Sequence, residues 1–331
     1  MEGFANNEPP GIEQNELRRR IRFLKTLPAY VKEDLIKEHG FDKSIYSGKK
    51  PEEILGEFLN QEEFDKIYLK YRYSGSITTN LFYMRNISQT EIDSKSLIDH
   101  FEAQESKLRI RPINIDSFTN KKILILVATT EIPVNTWESE EATEIPETIE
   151  IPEYYFVVFR NNTDIVEIRG KDYYKANEIF NVLKNFFYKV GKEENAYRLD
   201  LNNQRFKEKF EEYVKEVWNA RIKLDSNKDT VGEISMKSKF DSESKKREDL
   251  RKSPRYTQII EDGGEILRYY VVFKKDDTEV RFQINYRSSR ISFLMFASEE
   301  IFDLVIGVIN DLTRMFEKQR SFSSFGEFFA E

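Results

Sequence analysis

The sequence predicts an α+β protein, with a small helical N-terminal domain followed by antiparallel sheet units that are each covered by helices. Three patterns predict it. Apolar residues between Leu17 and Tyr73 recur at spacings of three and four, the repeat of one helical face. From about Lys107 the repeat shortens toward two, the period of a strand. Further on, an aromatic strand, a polar turn, a second strand and an amphipathic helix follow one another in two places. That order gives a sheet its covering layer.

Residues 1–16 form a polar leader and residues 17–105 the helical domain. Its compact part carries Ile21, Leu24, Leu27, Val31, Leu35 and Ile36, and then Ile54, Leu55, Phe58, Leu59, Phe64, Ile67 and Tyr68. Pro28, Gly40, Gly48 and Pro51 punctuate it. The first sheet unit covers residues 106–200. Leu108-Arg109-Ile110-Arg111 alternates, and Ile123-Leu124-Ile125-Leu126-Val127 reads as a buried strand. Residues 131–153 hold eight glutamates and no basic residue, the composition of a long solvated loop.

The first copy of the repeated pattern runs from Tyr154–Phe159 through the turn Asn161-Asn162-Thr163-Asp164 to Ile165–Ile168. Its helix carries Ile179, Phe180, Leu183, Phe186 and Phe187. The second copy lies in a unit spanning 201–317. Tyr269–Phe273 meets the turn Lys275–Thr278, strands Val280–Asn285 and Arg290–Phe296 follow, and a helix carries Ile301, Leu304, Val305, Val308, Ile309 and Leu312. Between the copies, Phe206, Phe210, Tyr213, Val214 and Val217 read as one amphipathic helix. Two such copies are expected to pair into one curved sheet with helices on one side.

Composition narrows the chemistry. At 331 residues the chain favours two or three domains, and 39% hydrophobic with 14% aromatic residues is enough to fill real cores. A formal net charge of −7 excludes a uniformly basic coat, so any nucleic-acid contact has to be a local patch. There is no cysteine and only His39 and His100. Disulfides, thiolate nucleophiles and a Cys/His metal centre are thereby ruled out, and no convincing Ser-His-Asp set is available. Carboxylate-bound Mg²⁺ stays open, and no cofactor is called for. The N-terminus MEGFANNEPPGIEQNE is polar and no apolar run is long enough for a membrane span. A cytoplasmic protein is the expectation.

Two basic segments and one aromatic tail stand out. In the helical domain, Lys32–Phe41 leads through a short insertion to Ser47-Gly48-Lys49-Lys50, after which a second helix holds Ile54, Leu55 and Leu59. Lys49 and Lys50 fall at a helix N-terminus, where phosphate is favoured. Arg18, Arg19, Arg20 and Arg22 extend that basic surface. The segment resembles the SAP motif, a helix–extended–helix unit that binds duplex DNA, with a Gly break and a Ser-Gly-x-Lys turn. It departs from that pattern through the residues between Phe41 and Ser47 and through Glu52 and Glu53. The second basic segment is the connector 237–255, with Lys245, Lys246, Arg247, Arg251 and Lys252 as candidate phosphate contacts.

The tail, residues 318–331, carries Gln319, Phe322, Phe325, Phe328 and Phe329. It resembles the peptide with which archaeal and eukaryotic replication and repair proteins dock on the sliding clamp PCNA. In one register Phe325 is the plug and Phe328-Phe329 the aromatic pair, with Phe322 where the family has glutamine. In the other, Gln319 and Phe322 match and Gly326 interrupts the pair. A looser likeness in layout is to the centromere protein N (Chl4) family of chromatin-binding adaptors.

Catalysis has little support. Asp164, Glu167 and Arg169 superficially resemble a nuclease array, but Glu167 alternates with Val166 and Ile168 as a solvent-facing strand residue does. The leading expectation is a non-enzymatic, chromosome-associated accessory protein that holds DNA and docks the sliding clamp or another protein. A protein–protein scaffold without nucleic acid and a Mg²⁺-dependent nuclease are the alternatives.

Overall fold

The computed structural model describes residues 12–41, 48–73, 77–105, 109–133, 148–188, 195–224, 232–243 and 246–326. Of residues 130–133, 148–150, 241, 246 and 316–326 only the backbone is described. The chain divides into two units, one of residues 1–75 with 296–303 and one of residues 76–295 with 304–331.

The first unit is helical: α1 (Gln14–Thr26), α2 (Ala29–Glu38), α3 (Pro51–Phe58) and α4 (Gln61–Tyr71). Its core joins Leu24, Leu27, Val31, Leu35, Ile36, Ile54, Leu55, Leu59, Phe64 and Ile67, the residues whose spacing predicted it. Pro51 opens α3, where its missing N–H costs nothing. Asn60 caps α4 by accepting from the Glu63 N–H at 2.9 Å, while the Asn60 N–H donates to Glu63 Oε2 at 3.1 Å.

The second unit is built on one 11-stranded sheet, and every strand pairing in it is antiparallel. Its strands are β1 (Thr78–Met84), β2 (Ile110–Ser117), β3 (Lys121–Pro133), β4 (Thr148–Arg160), β5 (Ile165–Arg169), β6 (Ala196–Arg198), β7 (Val214–Lys223), β8 (Glu233–Lys237), β11 (Glu265–Lys275), β12 (Thr278–Asn285) and β13 (Arg290–Ser292). The short strands β9 (Phe240–Asp241) and β10 (Lys246–Arg247) pair separately. The main order is β2-β3-β4-β5-β1-β13-β12-β11-β7-β8, and β6 adds to β1. The helices are α5 (Ser94–Glu102), α6 (Tyr173–Phe187), α7 (Gln204–Glu211), α8 (Pro254–Glu261) and α9 (Glu299–Gly326).

The α+β class and the two strand–turn–strand–helix copies are present, joined through β1. Residues 76–105 belong with the sheet rather than with the helical domain, because Thr78-Thr79-Asn80-Leu81-Phe82-Tyr83-Met84 is β-branched and aromatic and forms β1. The acidic segment is shorter as a loop than its composition suggests. Thr129 to Pro133 pair with Pro152 to Thr148, extending the β3–β4 hairpin, and residues 134–147 lie outside the described residues. The helix expected through Val217 stops at Glu211, since Val214 and Val217 are β-branched and enter β7.

The helices do not share one side. Phe82 stacks on Phe180 of α6 at 4.1 Å, so the sheet face carrying Phe82, Val166 and Ile168 is the one that α5 and α6 cover. On the opposite face the cross-strand row continues from Thr79 to Ile291 to Ile284. Phe282, two residues along from Ile284, packs there against Phe210 of α7 and Phe293. Over β5 and residues 155–160 of β4 both faces are largely buried, whereas β12 alternates buried and exposed. Among the described residues no helix covers the α6-side face of the β12, β11, β7 and β8 half, which leaves it the open face.

Glu167 is a correction to the alternation rule. It is 0% exposed, with Oε1 accepting from Arg160 Nε at 2.6 Å and Oε2 from Arg169 Nη2 at 2.9 Å. Both faces of β5 are covered, so alternation there separates two interiors rather than core from water. Glu167→Ala leaves two buried guanidinium groups without their carboxylate and is expected to cost about 3–5 kcal/mol. Urea unfolding of the variant measures it, and a loss under about 1 kcal/mol would contradict a structural ion cluster.

Candidate functional site

On the open face, β7 departs from regular pairing. Tyr270 faces Asn219 and Val271 faces Val217, which leaves Trp218 as an extra residue in a β-bulge. A bulge re-aims the side chains beside it, and Trp218 and Asn219 both line one cleft of about 330 Å³ with Tyr270, Lys237 and Arg247. That size is at the lower end for small-molecule sites. Lys237 faces Asn219 across the β7–β8 pair, and Arg247 comes from β10.

Trp218 is the centre of the cleft. Its ring lies 5.7 Å from Tyr270, with the Arg281 guanidinium 4.6 Å and the Arg247 guanidinium 5.9 Å from its centroid. Both cations are within the range of a cation–π contact. The indole N–H donates to Glu216 Oε2 at 2.7 Å, which fixes the ring and occupies that carboxylate oxygen. Arg247 also lies 5.8 Å from the ring of Phe240, which is 53% exposed. No lining residue is acidic. No carboxylate among the described residues lies within ion-pair distance of Lys237, Arg247 or Arg281.

A partly buried network on the core side of the same strands holds the bulge. Arg251 Nη2 donates to Asp249 Oδ2 at 2.7 Å and to the carbonyls of Val214 at 3.1 Å and Lys215 at 3.0 Å. Asp249 Oδ1 accepts from the Val217 N–H at 3.1 Å, so the pair grips β7 just before Trp218. The Arg251 guanidinium holds the Asp249 carboxyl below its ordinary range against the opposing effect of burial. Tyr256 and Tyr269 share a hydroxyl hydrogen bond, and the Tyr269 hydroxyl approaches Glu211 Oε1 at 3.5 Å. Burial pushes the Glu211 carboxyl up, although Arg251 and Tyr269 pull it down.

The expected contacts do not form one surface. Arg247 lines the cleft. Arg251 belongs to the β7 clamp, and Arg20 is 2% exposed, donating to the Leu59 carbonyl at 2.8 Å over the Phe64 ring. These two guanidinium groups are structural ties rather than surface charges. Lys49 pairs with Glu57, and the Lys50 N–H at the start of α3 donates to Glu53 Oε2 at 2.9 Å, so a carboxylate already sits where the SAP likeness puts phosphate. Arg18, Arg19, Arg22, Lys50 and Lys252 are exposed. Lys245 lies outside the described residues, as does the side chain of Lys246.

The tail differs from expectation in its backbone. The last helix does not end near residue 317 but continues through Gln319, Phe322 and Phe325 to Gly326, the last described residue. Phe328 and Phe329 lie outside the described residues. Asp164 is not part of a carboxylate array. It accepts from the Asn86 N–H, the Ser88 N–H and the Ser88 hydroxyl, and so fastens the loop after β1. Among the described residues no group of three or more His, Asp or Glu could hold a metal ion, and no helix is long and apolar enough to cross a membrane.

Sequence reasoning reached Arg247 through the basic connector, at whose start Lys237 lies, but did not single out Lys237 and missed Trp218, Tyr270 and Arg281. The signal for Arg281 was available, because Thr278-Glu279-Val280-Arg281-Phe282-Gln283-Ile284-Asn285 alternates strictly and so has a polar face. No protein-family model matches the sequence, and no curated protein matches it either.

Glu211 gives a pH signature. Its folded pKa is raised, so its contribution to stability is complete below its ordinary value of 4.5 and is lost as pH rises through the folded value. Glu211→Gln mimics the protonated acid. Melting temperatures of parent and variant should coincide near pH 4 and diverge in the variant's favour as the pH is raised. A gap that stays constant or reverses sign contradicts the assignment.

Proposed function

We propose that the chain is a non-enzymatic accessory protein of DNA replication, repair or chromosome organisation that holds nucleic acid through the open-face cleft. The observation that carries this reading is the grouping of Lys237, Arg247 and Arg281 around Trp218 and Tyr270 without an acidic lining residue. Cations with no carboxylate at ion-pair distance attract phosphate, and aromatic rings beside them suit the bases. The net charge of −7 makes such a local grouping the route by which this chain would hold a polyanion. Arg18, Arg19 and Arg22 on α1 offer a second basic surface, as the SAP likeness suggests, and the compartment that follows is cytoplasmic and chromosome-associated.

Fluorescence anisotropy with mixed-sequence DNA over a range of salt tests the reading. Affinity should fall steeply with salt and depend weakly on sequence. Replacing Lys237, Arg247 and Arg281 together by Ala should reduce the slope of log K against log salt by about 2. Replacing Arg18, Arg19 and Arg22 measures the helical unit separately. An absence of binding by the parent at low salt favours a scaffold without nucleic acid.

The partner in this proposal is the sliding clamp, docked through the tail. A peptide spanning Lys318 to Glu331 should bind the clamp alone, with Phe325→Ala, Phe328→Ala and Phe329→Ala each costing about 2 kcal/mol or more by calorimetry. A peptide that leaves the clamp unbound removes the partner and not the nucleic acid.

A further inference from the structure

We infer that the cleft takes unpaired nucleotides, with a base stacked on Trp218 and flanking phosphates held by Lys237, Arg247 and Arg281. The inference rests on the proposed nucleic-acid reading and names its ligand. Three features of the site separate single strands from duplex. The aromatic rings sit within the sheet face rather than on a projecting loop or helix, so they offer a stacking surface and nothing that enters a groove. The bases of a duplex are stacked on one another and expose only their edges, whereas an unpaired base has a free π face. The cations also lie on both sides of the ring. Lys237 is on β8, Trp218 on β7, Tyr270 on β11 and Arg281 on β12, in the order in which those strands lie in the sheet. The backbones of Lys237 and Arg281 are thus three strand spacings apart, about 14 Å, and the Arg281 side chain reaches back across β11 to bring its guanidinium 4.6 Å from the Trp218 centroid. A base that stacks on that face of the ring takes the place of the guanidinium, which then meets a flanking phosphate. Phe240, exposed beside Arg247, provides a further ring at the rim.

The indole itself is the reporter. The sequence has two tryptophans, so the full chain carrying Trp137→Phe leaves Trp218 as the source of tryptophan emission. Its emission is followed during titration with a short oligothymidylate, a hairpin duplex of equal phosphate number and an abasic oligomer of equal phosphate number. Stacking predicts that oligothymidylate quenches the emission and binds about tenfold more tightly than the abasic strand, while the duplex binds without quenching. In anisotropy measurements Trp218→Phe should keep that preference and Trp218→Ala should lose it. Equal binding of all three ligands without quenching overturns the inference and leaves the nucleic-acid proposal standing, as does a Trp218→Ala variant that keeps the preference. No binding of any of them at low salt overturns both. The quenching arm needs no substitution in the cleft, so it decides the question even if Trp218→Ala does not fold.

Discussion

The sheet depends on the seven residues of β1, which have to satisfy three neighbours at once. One edge of β1 pairs with β5 from Thr79 to Tyr83. The other edge is shared, with β13 taking Thr78 to Asn80 and β6 taking Phe82 to Met84. In the hydrogen-bonded order of the sheet, β1 is the strand that joins the β2–β5 half to the β13–β8 half. The Asn80 side chain adds to it by donating to the Ile168 carbonyl at 3.1 Å. Because buried backbone groups must be paired, a defect in β1 would expose both halves together. The Glu167 cluster sits beside it, since Leu81 faces Glu167 and Thr79 faces Arg169. A carboxylate buried there is tolerable only because two guanidinium groups meet it.

The open face follows from the same joint. Helix α6 comes directly after β5 and folds back over the half of the sheet that it leaves, covering Phe82 and Val166. Helix α7 precedes β7 and covers the other face of the other half through Phe206 and Phe210, which pack on Phe273 and Phe282. Helix α9 is tied to the turn before β5 by the Thr163 hydroxyl, which donates to Asn310 Oδ1 at 2.6 Å, and both faces of β5 are buried, whereas β12 alternates buried and exposed. A polar, cationic and aromatic surface on the second half needs no covering layer, and its side chains are available to a ligand.

Much of the fold was legible because the period of the apolar residues tracks burial directly. The continuous run Tyr155-Phe156-Val157-Val158-Phe159 belongs to a strand covered on both faces, and the alternating Val280, Phe282 and Ile284 to one covered on a single face. Position within the sheet was not legible. Glu167 flanked by Val166 and Ile168 has the same local pattern as Arg281 flanked by Val280 and Phe282, yet one is fully buried and the other solvent-facing. Only the number of covering layers separates them, and that is set by helices distant in sequence. The bulge at Trp218 was hidden for a related reason, because an extra residue in one strand is defined by the partner strand that it fails to match. The helix–strand boundary after Glu211 was hidden because Phe206, Phe210, Val214 and Val217 keep helical spacing across it.

The basic connector carries charge for two purposes, and burial assigns them. Arg247 reaches the cleft, while Arg251, four residues on, points inward and bonds Asp249 and two carbonyls of β7. The inward arginine is as relevant to the cleft as the outward one. Asp249 accepts from the N–H of Val217, the residue immediately before Trp218, so the partly buried pair fixes the backbone from which the indole projects. Glu216, on the other side of Val217, accepts from the indole N–H and sets the ring's rotation. Loss of Arg251 would leave Asp249 partly buried beside Glu211 without its counter-charge, a cost that loosening β7 can relieve. The ring would then lose its fixed orientation while Lys237 and Arg281 kept their charge. In the proposed mode of binding, stacking would suffer before phosphate attraction did, which would make Arg251 a positioning residue rather than a contact.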